Sequence, residues 1–475
     1  MTRPADAAWF STTRRKLLGG FLCGAGGILG GVGLRAYGQQ VRRRGRVILD
    51  RAAGVPPGLE DALQFPLVEA LLGRRARRFS WGAELPDGPL AYKSRREPLP
   101  LDPLEQMLVL TAAAGNTGWH HMIYRHARYA PHLSNYSAAA GGRTFPSAAG
   151  FHTSEFFYTD DNGVYFLPTR DAPALAADDG ESFDLRERLD AHRGRVRKLA
   201  EGRLHIPARE PFMEGHNTWC VNLPGSTLVI PVADVAQHLL LLLCFLVQNG
   251  YCVYDDARDE KIEGLERFKH LVDVEHPYPL SFIEQYALTE VTAELSTACY
   301  AGMLMLQALG LGGWMFDGLD RCALLGASGD AEMPGLGFQF QTDAAWPLPH
   351  VTGLPGTFEG TCPPHYASMR DAVEALTRRK FGPGGPFSEQ TPGPWRESGR
   401  VRASAQVHSD EFKDCVATMA QHVFDRNGKF PATVPAIFSL TYLQAHHLDL
   451  EYYDHHYRPG AYLETHARHQ ERWHG

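Results

Sequence analysis

The sequence predicts a globular fold of mixed helix and strand, on three observations. Of its 475 residues 44% are hydrophobic and 21% charged, the composition of an ordinary folded chain with ample apolar material for a large core. Several stretches carry apolar residues at helical spacing, among them the strongly apolar Glu290 to Leu311. Residues Glu155 to Pro168 read as strand, turn, strand, with Asp161-Asn162-Gly163 as a short-hairpin signal. Length alone permits two or three domains.

The first element, residues 1–38, is a targeting or anchoring segment. Arg14-Arg15-Lys16 precedes a glycine-rich apolar stretch from Leu17 to Leu34, and the arrangement resembles a twin-arginine export signal. A cleavage point could follow Ala36-Tyr37-Gly38. Left uncleaved, residues 17–34 are long enough to span a membrane and act as a tether. Arg35, Arg42, Arg43, Arg44 and Arg46 argue against outward translocation by ordinary insertion. The expectation is an exported, periplasmic protein, with a membrane-anchored one as the alternative. The twin-arginine route carries folded proteins, which favours a cofactor acquired before export.

Residues 39–57 read as a basic, then Pro/Gly-rich linker. The core is expected over residues 58–324. Leu59 to Leu72 has helical spacing with Pro66 near its middle, and Leu101 to Ala114 is a second amphipathic helix entered through Pro98 and Pro100. Asp184 to Gly202 reads as an exposed helix, with Asp184 and Arg188 four apart. Ser226 to Val253 is the most apolar internal region, but its unbroken run is short, so it reads as a buried helix and not a second membrane span. Residues 325–399 form a Gly/Pro-rich insertion of loops and short elements. Residues 400–475 read as a His-rich helical extension, with His408 to Phe424 helical.

The formal net charge is -7 with both signs interleaved, which excludes the strongly basic surface of a nucleic-acid binder. Eight cysteines are present without a C-x-x-C pair, so zinc-ribbon and thioredoxin-like readings lack their spacing. Most lie in apolar runs and read as small buried hydrophobes. Export leaves one or two disulfides open.

Three short motifs could carry chemistry. Arg74, Arg75, Arg77 and Arg78 fall within five residues; guanidinium forks suit phosphate, although the run also reads as a solvated basic face. Pro146-Ser147-Ala148, within Gly141 to His152, offers small residues that permit close backbone approach to a flat ligand, or an ordinary tight loop. Ala308-Leu309-Gly310-Leu311-Gly312-Gly313 closes the apolar helix with more glycine than a C-cap needs, so a ligand or another backbone should lie close by.

In this order the motifs resemble the landmarks of the FMN-dependent nitroreductase superfamily, closest to its azoline-dehydrogenase branch. Arg74, Arg77 and Phe79 match the family's Arg-Arg-Ser-x-Arg-x-Phe-like opening, with Arg75 where serine is usual. Pro98 to Leu110 matches its Pro-Leu-x-x-Leu helix. Arg143 to Gly150 resembles Arg-x-Tyr-Pro-Ser-Ala-Gly with Phe145 for tyrosine and one extra alanine, and Gly163-Val164-Tyr165 matches the hairpin. Ala308 to Gly312 reproduces Ala-Leu-Gly-Leu-Gly. Glu294 and Ser296 stand near the family's Asp-x-Gly, whereas its Gln-Asn pair is replaced by Tyr300 and Ala301. The landmarks cover residues 60 to 320.

The resemblance implies an α+β fold, a mixed sheet flanked by helices, and a homodimer with FMN at the subunit interface. It implies an oxidoreductase working by hydride transfer on a small-molecule substrate. The cofactor-binding residues it points to are Arg74, Arg75, Arg77, Pro146, Ser147, Ala148, Gly312 and Gly313; it names no acid or base.

The C-terminal segment lies outside the resemblance. His447, Glu451 and Asp454 or His455 could share a helical face as metal ligands. The Tyr/Leu interleaving favours an amphipathic arm packed on a partner, with hydrogen-bonded histidines and no metal. A metal-binding protein, and a flavin-free interaction protein, are the alternative functions.

Overall fold

The computed structural model describes residues 46–48, 55–125, 133–170 and 182–475. The chain divides into two units. The first, residues 1–46 with 180–182, lies almost wholly outside the described residues, and the second, residues 47–179 and 183–475, carries the fold. The twin-arginine-like segment, Cys23 and the possible tether over residues 17–34 lie outside the described residues.

The fold is α+β, built on one seven-stranded antiparallel sheet. Its strands are β1 (Ser154–Asp160), β2 (Gly163–Leu167), β3 (Arg197–Glu201), β4 (Thr227–Asp234), β5 (Gly312–Phe316), β6 (Ile437–Phe438) and β7 (Tyr442–His446). The order is β5-β7-β4-β1-β2-β3, and β6 also pairs with the end of β4. The β1–β2 hairpin forms where the Asp-Asn-Gly signal places it. Asp160 Oδ1 accepts the Asn162 and Gly163 amides at 2.8 and 3.1 Å, closing the turn.

The helices that position the site are α1 (Pro57–Gln64), α2 (Leu67–Leu72), α3 (Pro103–Ala114), α4 (Leu185–Arg193), α5 (Val235–Gln248), α6 (Leu280–Leu309), α7 (Met369–Phe381), α8 (Asp410–Asn427), α9 (Leu450–His456), α10 (Glu464–Ala467) and α11 (His469–His474). Pro66 splits the first helical stretch into α1 and α2 because proline cannot donate to the turn before it. Asp102 caps α3 and Glu105 completes a reciprocal capping box. The 30-residue α6 runs about 45 Å through the molecule. It packs on α3 and α5 and against β4, β5 and β7, and ends at Gly310, whose φ of 76° is the left-handed cap expected there.

Four segments differ from the sequence reading. The charged stretch 184–202 is helical only to Arg193; after Gly194 it becomes edge strand β3, where alternating charge is as well solvated as on a helix. Ser226 to Val253 holds β4 before α5, because Asp234 ends the strand and caps the helix through the Gln237 amide. Residues 325–399 contain more structure than loops. A small sheet joins Gln339–Gln341, His350–Leu354 and Phe358–Glu359, and α7 packs against α8. The C-terminal region has the expected helices, but Tyr442–His446 is strand β7, wedged between β5 and β4 and buried throughout.

Buried apolar side chains form two large clusters, one around the sheet with α3 and the C-terminal half of α6, the other around α5, α7, α8 and the N-terminal half of α6. The seven described cysteines are free thiols and six are buried, as small hydrophobes. Among the described residues no helix is long and apolar enough to cross a membrane.

Candidate functional site

The Pro146–His152 loop enters β1 in a strained conformation. Ala149 and His152 are both at φ 48°, with Gly150 at 73° between them. Left-handed conformations at non-glycine residues cost on the order of 1 kcal/mol or more each, and persist where the surroundings over-determine them. Here Glu294 of α6 does this. Its Oε2 accepts the Ser147 hydroxyl at 2.5 Å and its Oε1 accepts the Ser154 amide at 2.9 Å. Ser147 Oγ in turn accepts the His152 amide at 2.9 Å, and the Ser137 hydroxyl donates to the Ala149 carbonyl at 2.9 Å. The result is a rigid stretch of small residues, with Pro146 exposed and Ser147, Ala148 and Ala149 half-buried.

Two histidine rings meet at the end of the loop. The His120 and His152 rings are 6.1 Å apart, edge to face, and Phe145 stands edge-on to His152 at 5.8 Å. Burial pushes both imidazoles below their ordinary range, His152 strongly, and the neighbouring Arg143 adds to this. Both rings are therefore neutral at pH 7, and both Nδ1 atoms are buried without a hydrogen-bond partner among the described residues.

The arginine run divides in two. Arg77 is 2% exposed, and its guanidinium donates to Ala461 O at 3.0 Å, Gln307 Oε1 at 2.7 Å and Gly73 O at 3.1 Å. Burial lowers it to about 10, so it remains a cation. Arg75 is exposed and reaches only the carbonyls of Leu72 and Arg74. Arg74 is half-buried with Nη1 3.8 Å from the Met303 sulfur, and Arg78 lies over the Trp314 ring at 5.2 Å. Among the described residues no carboxylate pairs with any of the four.

Gly312 and Gly313 are spoken for by a backbone. Both are buried in β5 against β7. A Cβ on Gly313 (φ 143°) would stand 2.1 Å from the Gln444 carbonyl oxygen, and one on Gly312 2.7 Å from His446 Nε2. Gly313 also exchanges backbone hydrogen bonds with Arg77, at 2.9 and 3.3 Å. The glycine excess thus serves close strand packing.

The C-terminal acids and histidines do not share one face. Glu451 is near Arg95 and Arg96, and Asp454 accepts the Tyr462 hydroxyl. His447 instead meets Glu105, His469 and His474. The sequence reading did not connect Glu105, His120 or His152 to any site. The histidine partners of Glu105 and the His152 ring beside His120 are distant in sequence, and no local spacing marks those pairings.

The fold and these clusters define an α+β protein with an arginine run that pairs with no carboxylate among the described residues, and a clamped, small-residue loop. No protein-family model and no curated protein matches the chain. Among solved structures, a putative nitroreductase from Ralstonia eutropha JMP134 is similar, at 16% identity over 58% of this chain and 75% of that chain, with a TM-score of 0.24.

Proposed function

We propose that the chain is an FMN-dependent oxidoreductase of nitroreductase type. The observation that carries this reading is the arginine cluster. Four guanidinium groups stand within five residues, one of them buried, and among the described residues none has a carboxylate partner. Arg74 and Arg75 keep guanidinium forks free of carboxylates among the described residues, and a phosphate monoester fits that geometry. Arg74 and Arg75 would hold the phosphate, and Arg77 would fix the segment that presents them. The Pro146, Ser147 and Ala148 backbone would lie against the ring system, kept in place by Glu294. Gly312 and Gly313 would contribute by letting β5 close on β7.

Bound there, FMN would supply hydride-transfer chemistry. The chain's own part is positioning: a rigid backbone edge on one side, fixed cations at the other, and neutral His120 and His152 at the end of the loop. Residues 17–34, if they direct export, would separate the protein from cytoplasmic NAD(P)H. Oxygen, a quinone or a protein would then be the electron acceptor.

The two halves of this site favour a dimer. Arg74 touches Met303 and Ser147 touches Glu294, nine residues apart on α6. That is about two and a half turns, so the contacts leave opposite faces of the helix. A cofactor meeting both sets would be shared, the arginines coming from one copy and the loop from another. Leu67, Val68 and Leu72 stand exposed on α2 beside the arginines, Leu72 at 74%, as a face that a second copy would cover.

The test is a visible absorption spectrum of the purified full-length protein, with the released cofactor identified by mass. The expected result is a flavin spectrum with FMN near one per chain, lost in Arg74→Ala and Arg75→Ala. A colourless protein that FMN cannot reconstitute would overturn the reading.

A further inference from the structure

Glu105, His447, His469 and His474 converge from three separate parts of the chain. Glu105 lies in the first turn of α3, His447 follows β7, and His469 and His474 open and close α11. One ligand atom from each lies within 4.8 Å of all the others. Glu105, His447 and His469 are buried, and His474 forms the outer wall.

The polar contacts bring this cluster no arginine or lysine among the described residues. Glu105 is 0% exposed, and among the described residues its charged or chargeable partners are imidazoles only. Its Oε2 accepts the Asp102 amide at 2.8 Å, as the capping box requires. Its Oε1 has His469 Nε2 and His474 Nε2 each at 3.1 Å. His469 Nδ1 lies 2.8 Å from the Leu309 carbonyl oxygen, which can only accept, so that nitrogen carries the ring proton. In the neutral ring, Nε2 then presents a lone pair toward the carboxylate, an approach that is repulsive until a cation joins the two. His469 Nε2 itself has no hydrogen-bond partner among the described residues. A metal ion would be well used. A backbone carbonyl gripping the distal nitrogen is how ligating histidines are oriented.

A second trio, Asp255, Glu260 and His422, differs in this respect. Arg258 pairs with Asp255 at 2.7 Å and Arg426 with Glu260 at 3.1 Å, so cations already satisfy it.

We propose that Glu105, His447, His469 and His474 form a closed, four-ligand site for a divalent transition metal of the zinc class, which clasps the C-terminal helices to α3 and β7. Three imidazoles and one carboxylate suit that class. Four protein ligands fill a tetrahedral shell and leave no open position, the mark of a structural site. Ligand atoms in such a shell stand about 3.3 Å apart, close to the two 3.1 Å pairs and within the 4.8 Å that bounds the whole set. The site is independent of the flavin reading and shares no residue with it.

The experiment uses full-length protein without a histidine tag, stripped with a chelator and titrated with cobalt(II). The cobalt-minus-stripped difference spectrum cancels any flavin. The expected result is one cobalt per chain with the intense visible bands of a four-coordinate ion, displaced by zinc, and a rise in melting temperature on zinc addition. His474→Ala removes a ligand at the outer wall, near the chain end, and Glu105→Gln keeps an acceptor for the Asp102 amide. Each is expected to weaken metal affinity by about 100-fold or more and to abolish the zinc-dependent melting shift. Wild-type protein without cobalt bands, or His474→Ala protein that binds as wild type, would overturn the proposal. Should Glu105→Gln fail to fold, His474→Ala decides it alone.

Discussion

Arg77 donates to Gln307 across the junction of the arginine run and α6, Nη1 to Oε1 at 2.7 Å, and the same guanidinium holds the carbonyls of Gly73 and Ala461. One side chain thus ties three segments together: the chain after α2, the last turns of α6 and the approach to α10. Its role is separable from that of its neighbours Arg74 and Arg75. Arg77→Ala would leave a buried amide and two carbonyls short of a donor and is expected to cost about 3 kcal/mol. Arg74→Ala and Arg75→Ala are expected to cost less than about 1 kcal/mol while losing most of the bound flavin. Urea denaturation and the flavin-to-protein ratio, measured on the same preparations, check this. Equal destabilisation by all three would mean that the run is purely structural.

Glu294 is expected to control the Pro146–His152 loop. Glu294→Ala leaves the Ser154 amide and Ser147 hydroxyl without their acceptor, at about 2 kcal/mol, and releases the strained residues Ala149 and His152. Glu294→Gln keeps an acceptor and should retain more than half of that stability. Hydrogen exchange over residues 146–154 reads the effect directly. Faster exchange confined to this stretch in the Ala variant is expected; unchanged exchange would show that Glu294 does not hold the loop.

What the sequence makes legible here is local. The Asp-Asn-Gly turn announces the β1–β2 hairpin, and glycine at 310 announces the end of α6. The four arginines are visible as a run, but the division of labour among them is not, since it depends on Gln307 and Ala461. The β4–α5 boundary is hidden because both elements are buried on all sides and read as one apolar block, with Asp234 as the only mark of the change in period. β7 is hidden for the same reason: a strand covered on both faces shows no alternation, and its Tyr/Leu interleaving suits a helix equally well. The histidine-rich tail advertises a cluster, yet the carboxylate that completes it lies 369 positions earlier, in a capping box that explains its presence without any metal.

The α2 face offers a test of association. Leu67, Val68 and Leu72 are exposed in the isolated chain and adjoin the arginines. Replacing Leu72 with Glu adds a charge at a side chain that is 74% exposed, so stability of the monomer should change by less than about 0.5 kcal/mol. If a second copy covers this face, the charge is desolvated on association, and sedimentation should shift from dimer toward monomer with loss of flavin. A variant that stays dimeric and yellow would place the interface elsewhere.

The acid response of the fold should carry the signature of His350. This imidazole lies in the strand His350–Leu354, edge to face with Trp346 at 5.8 Å, its Nε2 buried without a hydrogen-bond partner among the described residues. Burial, reinforced by Lys429, lowers it from 6.5 to about 4. Between those values the unfolded chain binds a proton that the folded one does not, so stability falls as pH falls, at up to about 1.4 kcal/mol per pH unit. The contribution is complete above pH 6.5 and gone below about 4, a loss of about 3 kcal/mol over that window. His408, which burial also pushes well down, adds a slope of the same sign. Urea titrations at pH 7.5, 6, 5 and 4 (values chosen to bracket the window, about one unit apart) should therefore show His350→Leu losing less stability per unit than wild type. Parallel curves for the two proteins would mean that His350 is protonated in the fold near its ordinary pH, with water or Lys429 movement relieving its burial.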